Sequence, residues 1–131
     1  DHSSVPVMAD ESCWDAKDAM KLVSHRAVDF INIKLMKCGG LYEAKKIVNI
    51  AEAAGVECML GCMAEESGIA INAAAALGAA LKNITRADLD ASFSLNELPY
   101  EGGFSVIDTR HLVLSENPGL GITSLKGEML G

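Results

Sequence analysis

Apolar and polar positions along the chain change period in a repeating order. Val5 to Ala9 is a short apolar run that stops at Asp10. Beyond Ser12, residues Ala16, Ala19, Met20, Val23 and Ala27 fall at i, i+3, i+4, i+7 and i+11, the spacing of one face of a helix. Asp29 to Met36 then alternates, with Phe30, Asn32 and Lys34 on one side and Ile31, Ile33 and Leu35 on the other, as in a strand that Gly39-Gly40 breaks. A second helical stripe of Leu41, Ala44, Ile47, Val48, Ala51 and Ala54 runs to Gly55, a residue suited to the C′ position. Glu57 to Met63 predicts a third strand. Ser67 is a good N-cap for the alanine-rich run to Lys82, and Ala87 to Ser92 predicts a fourth strand.

Strand and helix therefore alternate, which predicts an α/β fold of βα units feeding a parallel sheet. Asn32 and Lys34 occupy the side of their strand opposite the aliphatic residues. Buried polar groups of that kind suit the mouth of a (β/α) barrel better than an open sheet covered on both faces. Beyond Pro99 the character changes. Gly103 to Ile107 and His111 to Ser115 flank an Asp-Thr-Arg turn and predict an antiparallel hairpin, followed by Asn-Pro-Gly punctuation. The expected organisation is half of a barrel over residues 1–98 and a hairpin segment over 99–131.

With 131 residues, half of them hydrophobic, the chain is long enough to bury a core. A net charge of -7 argues against nucleic acid or an anionic membrane surface as partner, because both need a concentrated basic face. The longest apolar run, Gly68 to Leu81, is short of the roughly 20 residues that cross a bilayer. The opening residues lack the charged and apolar regions of a secretory signal. Cys13, Cys38, Cys58 and Cys62 read as reduced thiols, which suggests a cytoplasmic protein. Cys58 and Cys62 lack the two further ligands that a zinc site needs. No G-x-S-x-G occurs, and His2, His25 and His111 have no evident nucleophile beside them. Two glycines after a strand, at Gly39-Gly40, are weak grounds for a phosphate site.

The chemistry concentrates at strand ends: Asp10, Lys34, Glu65 and the pair Asp88 and Asp90. Functional residues at the C-terminal ends of successive strands are what a (β/α)-barrel active site requires. Each has a plainer reading as a helix cap, a solvated loop residue or an ion-pair partner. Lys34 is expected to be partly desolvated, with a lowered pKa that makes a neutral amine available as a base. Asp88 and Asp90, two residues apart, share one face of a strand and repel unless a cation lies between them.

The segments MADES, NIKLMKCGG, GCMAEESGIA, ITRADLDAS and GGFSVIDTRHLVLSENPGLGI resemble the carboxy-terminal half of the enolase superfamily, within its mandelate racemase/muconate lactonizing branch. The Asp-Leu-Asp element resembles that of the dipeptide epimerases of the L-Ala-D/L-Glu type. The resemblance implies four strands of a (β/α)7β barrel and a tail that joins a capping domain. It implies that Asp10, on the fifth barrel strand, is the last of three carboxylates holding a Mg2+ cofactor, and that Lys34, on the sixth, is an acid/base. Glu65 would stand at the pocket edge as polar support. Asp88 and Asp90, on the eighth strand, would bind the α-ammonium of a dipeptide substrate. Glu11 would orient Lys34, and Asn32 would line the same pocket. The implied reaction takes a weakly acidic proton from the carbon next to a carboxylate through a Mg2+-stabilised enediolate, with one lysine on each face.

Only one of those lysines is present. The resemblance puts a K-x-K element and two more Mg2+ ligands before residue 1, and a complete barrel takes about 250 residues. The chain is thus expected to be a fragment of a longer enzyme, inactive alone, with weak or no Mg2+ binding. Its open strand edges predict self-association or pairing with the missing half. A muconate-type cycloisomerase or an acid-sugar dehydratase would keep Asp10 and Lys34 without needing paired carboxylates. A self-associating half barrel without catalysis is the alternative from another class.

Overall fold

Ile31, Ile33, Cys58 and Leu60 explain why the sheet and its helices stay together, since all four are essentially inaccessible to solvent and lie on one face of two neighbouring strands. The computed structural model describes residues 3–64, 66–94, 98–108 and 111–127. Strands β1 (Met8–Ala9), β2 (Phe30–Ile33), β3 (Glu57–Leu60) and β4 (Ile84–Ala87) form one parallel sheet in the order β1-β2-β3-β4. Phe30 stands opposite Glu57 and Ile33 opposite Leu60 in the register. Helices α1 (Ala16–Ser24), α3 (Leu41–Ala53) and α4 (Gly68–Ala80) follow β1, β2 and β3, and a one-turn helix α2 (Leu35–Cys38) is interposed after β2.

The aliphatic face of the sheet meets Ala44, Ile47, Val48 and Ala51 of α3 and Ile71, Ala74 and Leu77 of α4. Full burial of each Ile, Val or Leu contributes about 1.5–3 kcal/mol, so this layer dominates the stability of the segment. Every crossover joins parallel neighbours, as the alternating pattern predicts. All four strands consequently end at the same edge of the sheet.

Element boundaries differ from expectation in consistent ways. Helix α1 begins at Ala16 because Asp15, whose carboxylate accepts from Lys17 N and Asp18 N, is the N-cap. It stops at Ser24, so its inward stripe is Ala19, Leu22 and Val23, leaving Met20 and Ala27 exposed. Helix α4 stops at Ala80 rather than Lys82. Strand β2 ends at Ile33, not Met36, because a helical turn starts at Leu35. The third strand stops at Leu60, not Met63, and the first is confined to Met8–Ala9. The fourth strand is Ile84–Ala87 rather than 87–92, and residues 91–94 form one 3-10 turn.

The predicted hairpin is present as β6 (Ser105–Ile107) paired antiparallel with β7 (His111–Val113). A second antiparallel pair, β5 (Tyr100–Gly102) with β8 (Ile122–Leu125), had no signature in the sequence pattern. Asn72, buried inside α4, docks this region on the sheet domain. Its Nδ2 donates to Gly68 O at 2.7 Å and to Tyr100 Oη at 3.1 Å, and its Oδ1 accepts from Phe104 N at 2.7 Å. Gly103, at φ +83°, lies so close that a Cβ there would stand 2.6 Å from Asn72 Oδ1; only glycine fits.

Candidate active site

The ends of β1 and β2 bring four predicted residues into contact. Asp10 follows β1 directly, and its Oδ2 lies 2.8 Å from Lys34 Nζ and 3.2 Å from Asn32 Nδ2, which donates to it. Lys34 follows β2 in an extended conformation, as the N-cap of α2. Its Nζ also lies 3.1 Å from Glu11 Oε1. Asn32 is buried one pleat earlier on the same face. The space it occupies exists because residue 61 is glycine: a Cβ there would stand 2.6 Å from Asn32 Oδ1.

A fifth residue, Lys37, belongs to the cluster and was not predicted. Helix α2 is a single turn ending in Gly39 and Gly40, whose φ angles of +85° and +109° account for the glycine pair as backbone requirements. That turn carries the Lys37 side chain back over the strand ends. Its Nζ donates to Asp10 O at 2.5 Å, Asp10 Oδ1 at 2.8 Å and Asn32 O at 2.9 Å. Its side chain is only 2% exposed, against 13% for Lys34.

The electrostatics correct one expectation. Lys34 is not lowered in pKa but raised, because the hydrogen bond to Asp10, joined by that to Glu11, outweighs desolvation. Burial pushes the Asp10 carboxyl up, but the hydrogen bonds from Lys34, Lys37 and Asn32, with the charge of Lys37, hold it below the usual carboxylate range. Glu11 is lowered by its bond with Lys34. A depressed carboxylate stabilises the fold above its unfolded pKa and a raised lysine does so below its own, so the cluster favours the folded chain across neutral pH.

Asp88 and Asp90 do not lie on a strand. They follow β4, beginning where Asp88 N donates to Leu60 O. Leu89 between them is buried while both aspartates are exposed, so they still share a face. The Cys62 thiol donates to Asp88 O at 3.3 Å and to Asp90 Oδ1 at 3.7 Å, tying this segment to the end of β3. The pair does not touch the Lys34 cluster. Two strand spacings separate β2 from β4, a gap of about 10 Å. Glu65 lies outside the described residues. Its neighbour Glu66 is buried and accepts from Met63 N at 2.8 Å. Trp14, Met36 and Met63 line a cavity of about 220 Å³ with Glu11 and Lys37.

Among the described residues no group of three or more His, Cys, Asp or Glu side chains could hold a metal ion. Asp10 does fit as one ligand of a hard, oxygen-seeking divalent cation. Beside it the buried Asn32 Oδ1 has no hydrogen-bond partner, so the polar floor offers a second oxygen awaiting a donor. Cys62 is the half-exposed thiol of the four. Cys13, Cys38 and Cys58 are buried, with burial pushing Cys13 up to about 11 and Cys58 up to about 12. Iodoacetamide at pH 8 is therefore expected to label Cys62 first and the other three only on unfolding. Peptide mapping checks this, and prompt labelling of Cys58 would contradict it.

The family model described as Enolase C-terminal domain-like matches residues 1–126. The chain is 62% identical over 117 residues to a hydrophobic dipeptide epimerase of Enterococcus faecalis, covering 89% of this chain and 33% of that protein. It is 46% identical over 125 residues to an L-Ala-D/L-Glu epimerase of Clostridium acetobutylicum, covering 95% and 34%. The substrate-liganded L-Ala-D/L-Glu epimerase of Bacillus subtilis superposes with a TM-score of 0.89 at 42% identity, over 94% of this chain and 34% of that one. The Enterococcus faecalis dipeptide epimerase complexed with Mg and L-Leu-L-Tyr superposes at 0.88 with 60% identity, over 92% and 34%. The chain spans about a third of the length of the curated relatives it matches.

Proposed function

Because the chain belongs to the Enolase C-terminal domain-like family, we propose that it supplies part of the active site of a Mg2+-dependent dipeptide epimerase, an isomerase that removes and returns the proton α to a carboxylate. One observation carries the reading: Asp10, Lys34 and the Asp88/Asp90 pair stand at the same edge of four parallel strands. When bound, Mg2+ neutralises negative charge growing on the substrate carboxylate. Asp10 would be one of its ligands, the others coming from the rest of the enzyme.

Lys34 Nζ moves the proton. Held between Asp10 and Glu11 it is in the ammonium form that returns a proton to the α-carbon; removing one requires the neutral amine, so the two carboxylates set that balance. Asp88 and Asp90 would accept the substrate's α-ammonium, which is the cation that relieves their mutual repulsion. Cys62 holds the segment at the distance from Lys34 that strand spacing dictates. The relative at 62% identity is a hydrophobic dipeptide epimerase. That supports a dipeptide with apolar side chains, for which Trp14, Met36 and Met63 provide apolar surface.

The test uses the full-length enzyme in D2O. Free L-Leu-L-Tyr or L-Ala-L-Glu is expected to exchange its α-proton, and the N-acetylated dipeptide is not. Replacing Asp88 and Asp90 by Asn removes charge-assisted bonds, which is expected to lower kcat/KM for the free dipeptide about 10- to 100-fold. Equal exchange of both substrates by the wild type, or an unchanged double variant, would remove the ammonium clamp.

A further inference from the structure

Lys37 is a second lysine within the same turn as Lys34, and nothing in the reaction above uses it. An ammonium removed from water costs several kcal/mol unless oxygens replace its hydration. Here the replacement is complete. The group has three donors, and the three oxygens it meets, Asp10 O, Asp10 Oδ1 and Asn32 O, lie at 2.5, 2.8 and 2.9 Å. With its side chain 2% exposed and every donor of its ammonium engaged, Lys37 has no free proton position at Nζ, although the residue borders the cavity beside Met36. Two of its three partners belong to the same residue, so it grips Asp10 by main chain and side chain at once. That leaves Oδ2 as the oxygen shared with Lys34 and Asn32.

We propose that Lys37 is a positioning residue that fixes the Asp10 carboxylate by holding Oδ1, so that Asp10 offers a divalent cation the single oxygen Oδ2. The inference rests on the reading of Asp10 as a metal ligand. Its sign is distinctive. Deleting a positive charge close to a cation site would by Coulomb's law alone tighten binding, and a purely structural lysine would leave the affinity of the folded protein unchanged. A positioning lysine predicts the opposite.

Mg2+ is titrated calorimetrically into metal-free full-length enzyme, at a temperature where circular dichroism shows each variant folded. K37M is expected to raise the Mg2+ Kd at least tenfold, and K37R, whose guanidinium retains charge and several donors, to stay within about threefold of wild type. If K37M does not fold, K37Q gives the same readout, because its amide still serves the strand-end carbonyls while releasing Oδ1. An unchanged or lower Kd in folded K37M or K37Q overturns the inference and leaves the reading of Asp10 intact. A wild type that binds no Mg2+ overturns both.

Discussion

Replacing Lys34 by Met in the full-length enzyme is expected to lower dipeptide epimerisation by about 10²- to 10⁴-fold, the range that a positioned acid/base contributes. The side chain has the reach of the lysine without its proton, so the loss separates chemistry from packing. A two-base reaction makes the outcome stereochemically specific. One epimer of the substrate should stop exchanging its α-proton in D2O, while the epimer whose proton faces the opposite base continues to exchange. Losing both exchanges equally would point to a damaged site. Retaining epimerisation within tenfold would remove Lys34 from the reaction. The variant also releases Asp10 Oδ2 and Glu11 from their shared cation, so each carboxyl is expected to titrate closer to the ordinary range, a shift that NMR of the metal-free protein measures.

The second large effect concerns architecture. Asn72→Ala deletes a buried node that serves Tyr100 Oη and Phe104 N as well as Gly68 O. Leaving two of those groups unpaired costs about 2–4 kcal/mol. The loss should be local, because the node joins residues 100–104 to α4 and not the sheet to its helices. Limited proteolysis should cut within residues 98–108 far sooner in the variant, before the sheet domain unfolds. A digestion pattern identical to wild type would show that the antiparallel segment is held by other contacts.

Much of the fold was legible because its signals are local. Alternation in Phe30–Ile33, the stripe of Ala44, Ile47, Val48 and Ala51, the Ser67 cap and the φ +73° of Gly55 each depend on residues a few positions away. What escaped depends on partners distant in sequence. Thr85 and Arg86 disguise β4 as a polar stretch. In the fold both donate to Glu57 Oε2, and Arg86 stacks over Phe30 with its guanidinium 4.2 Å from the ring centre, so a strand with little apolar content is stabilised across two neighbours. Lys37 escaped for the same reason, since its main partner lies 27 residues earlier in the chain. The Lys34 shift runs opposite to the sequence expectation because the hydrogen bonds to Asp10 and Glu11, whose strength depends on how the fold brings β1 and β2 together, outweigh the desolvation of the side chain. The paired strands β5 and β8, some 20 residues apart, left no periodicity to read.

The single turn between Lys34 and Gly39 also acts as a ruler. Because i and i+3 stand on one side of a helix, the two lysines approach the end of β1 from one short, stiff piece of backbone. Leu35 anchors that piece in the core and Met36 is exposed, and the number of residues is fixed. One inserted residue would rotate the second lysine by roughly 100°, away from Asp10, with the first still in place. Met36→Leu, which keeps an apolar side chain at the exposed position, should therefore leave the enzyme active, whereas a one-residue insertion between the lysines should abolish activity.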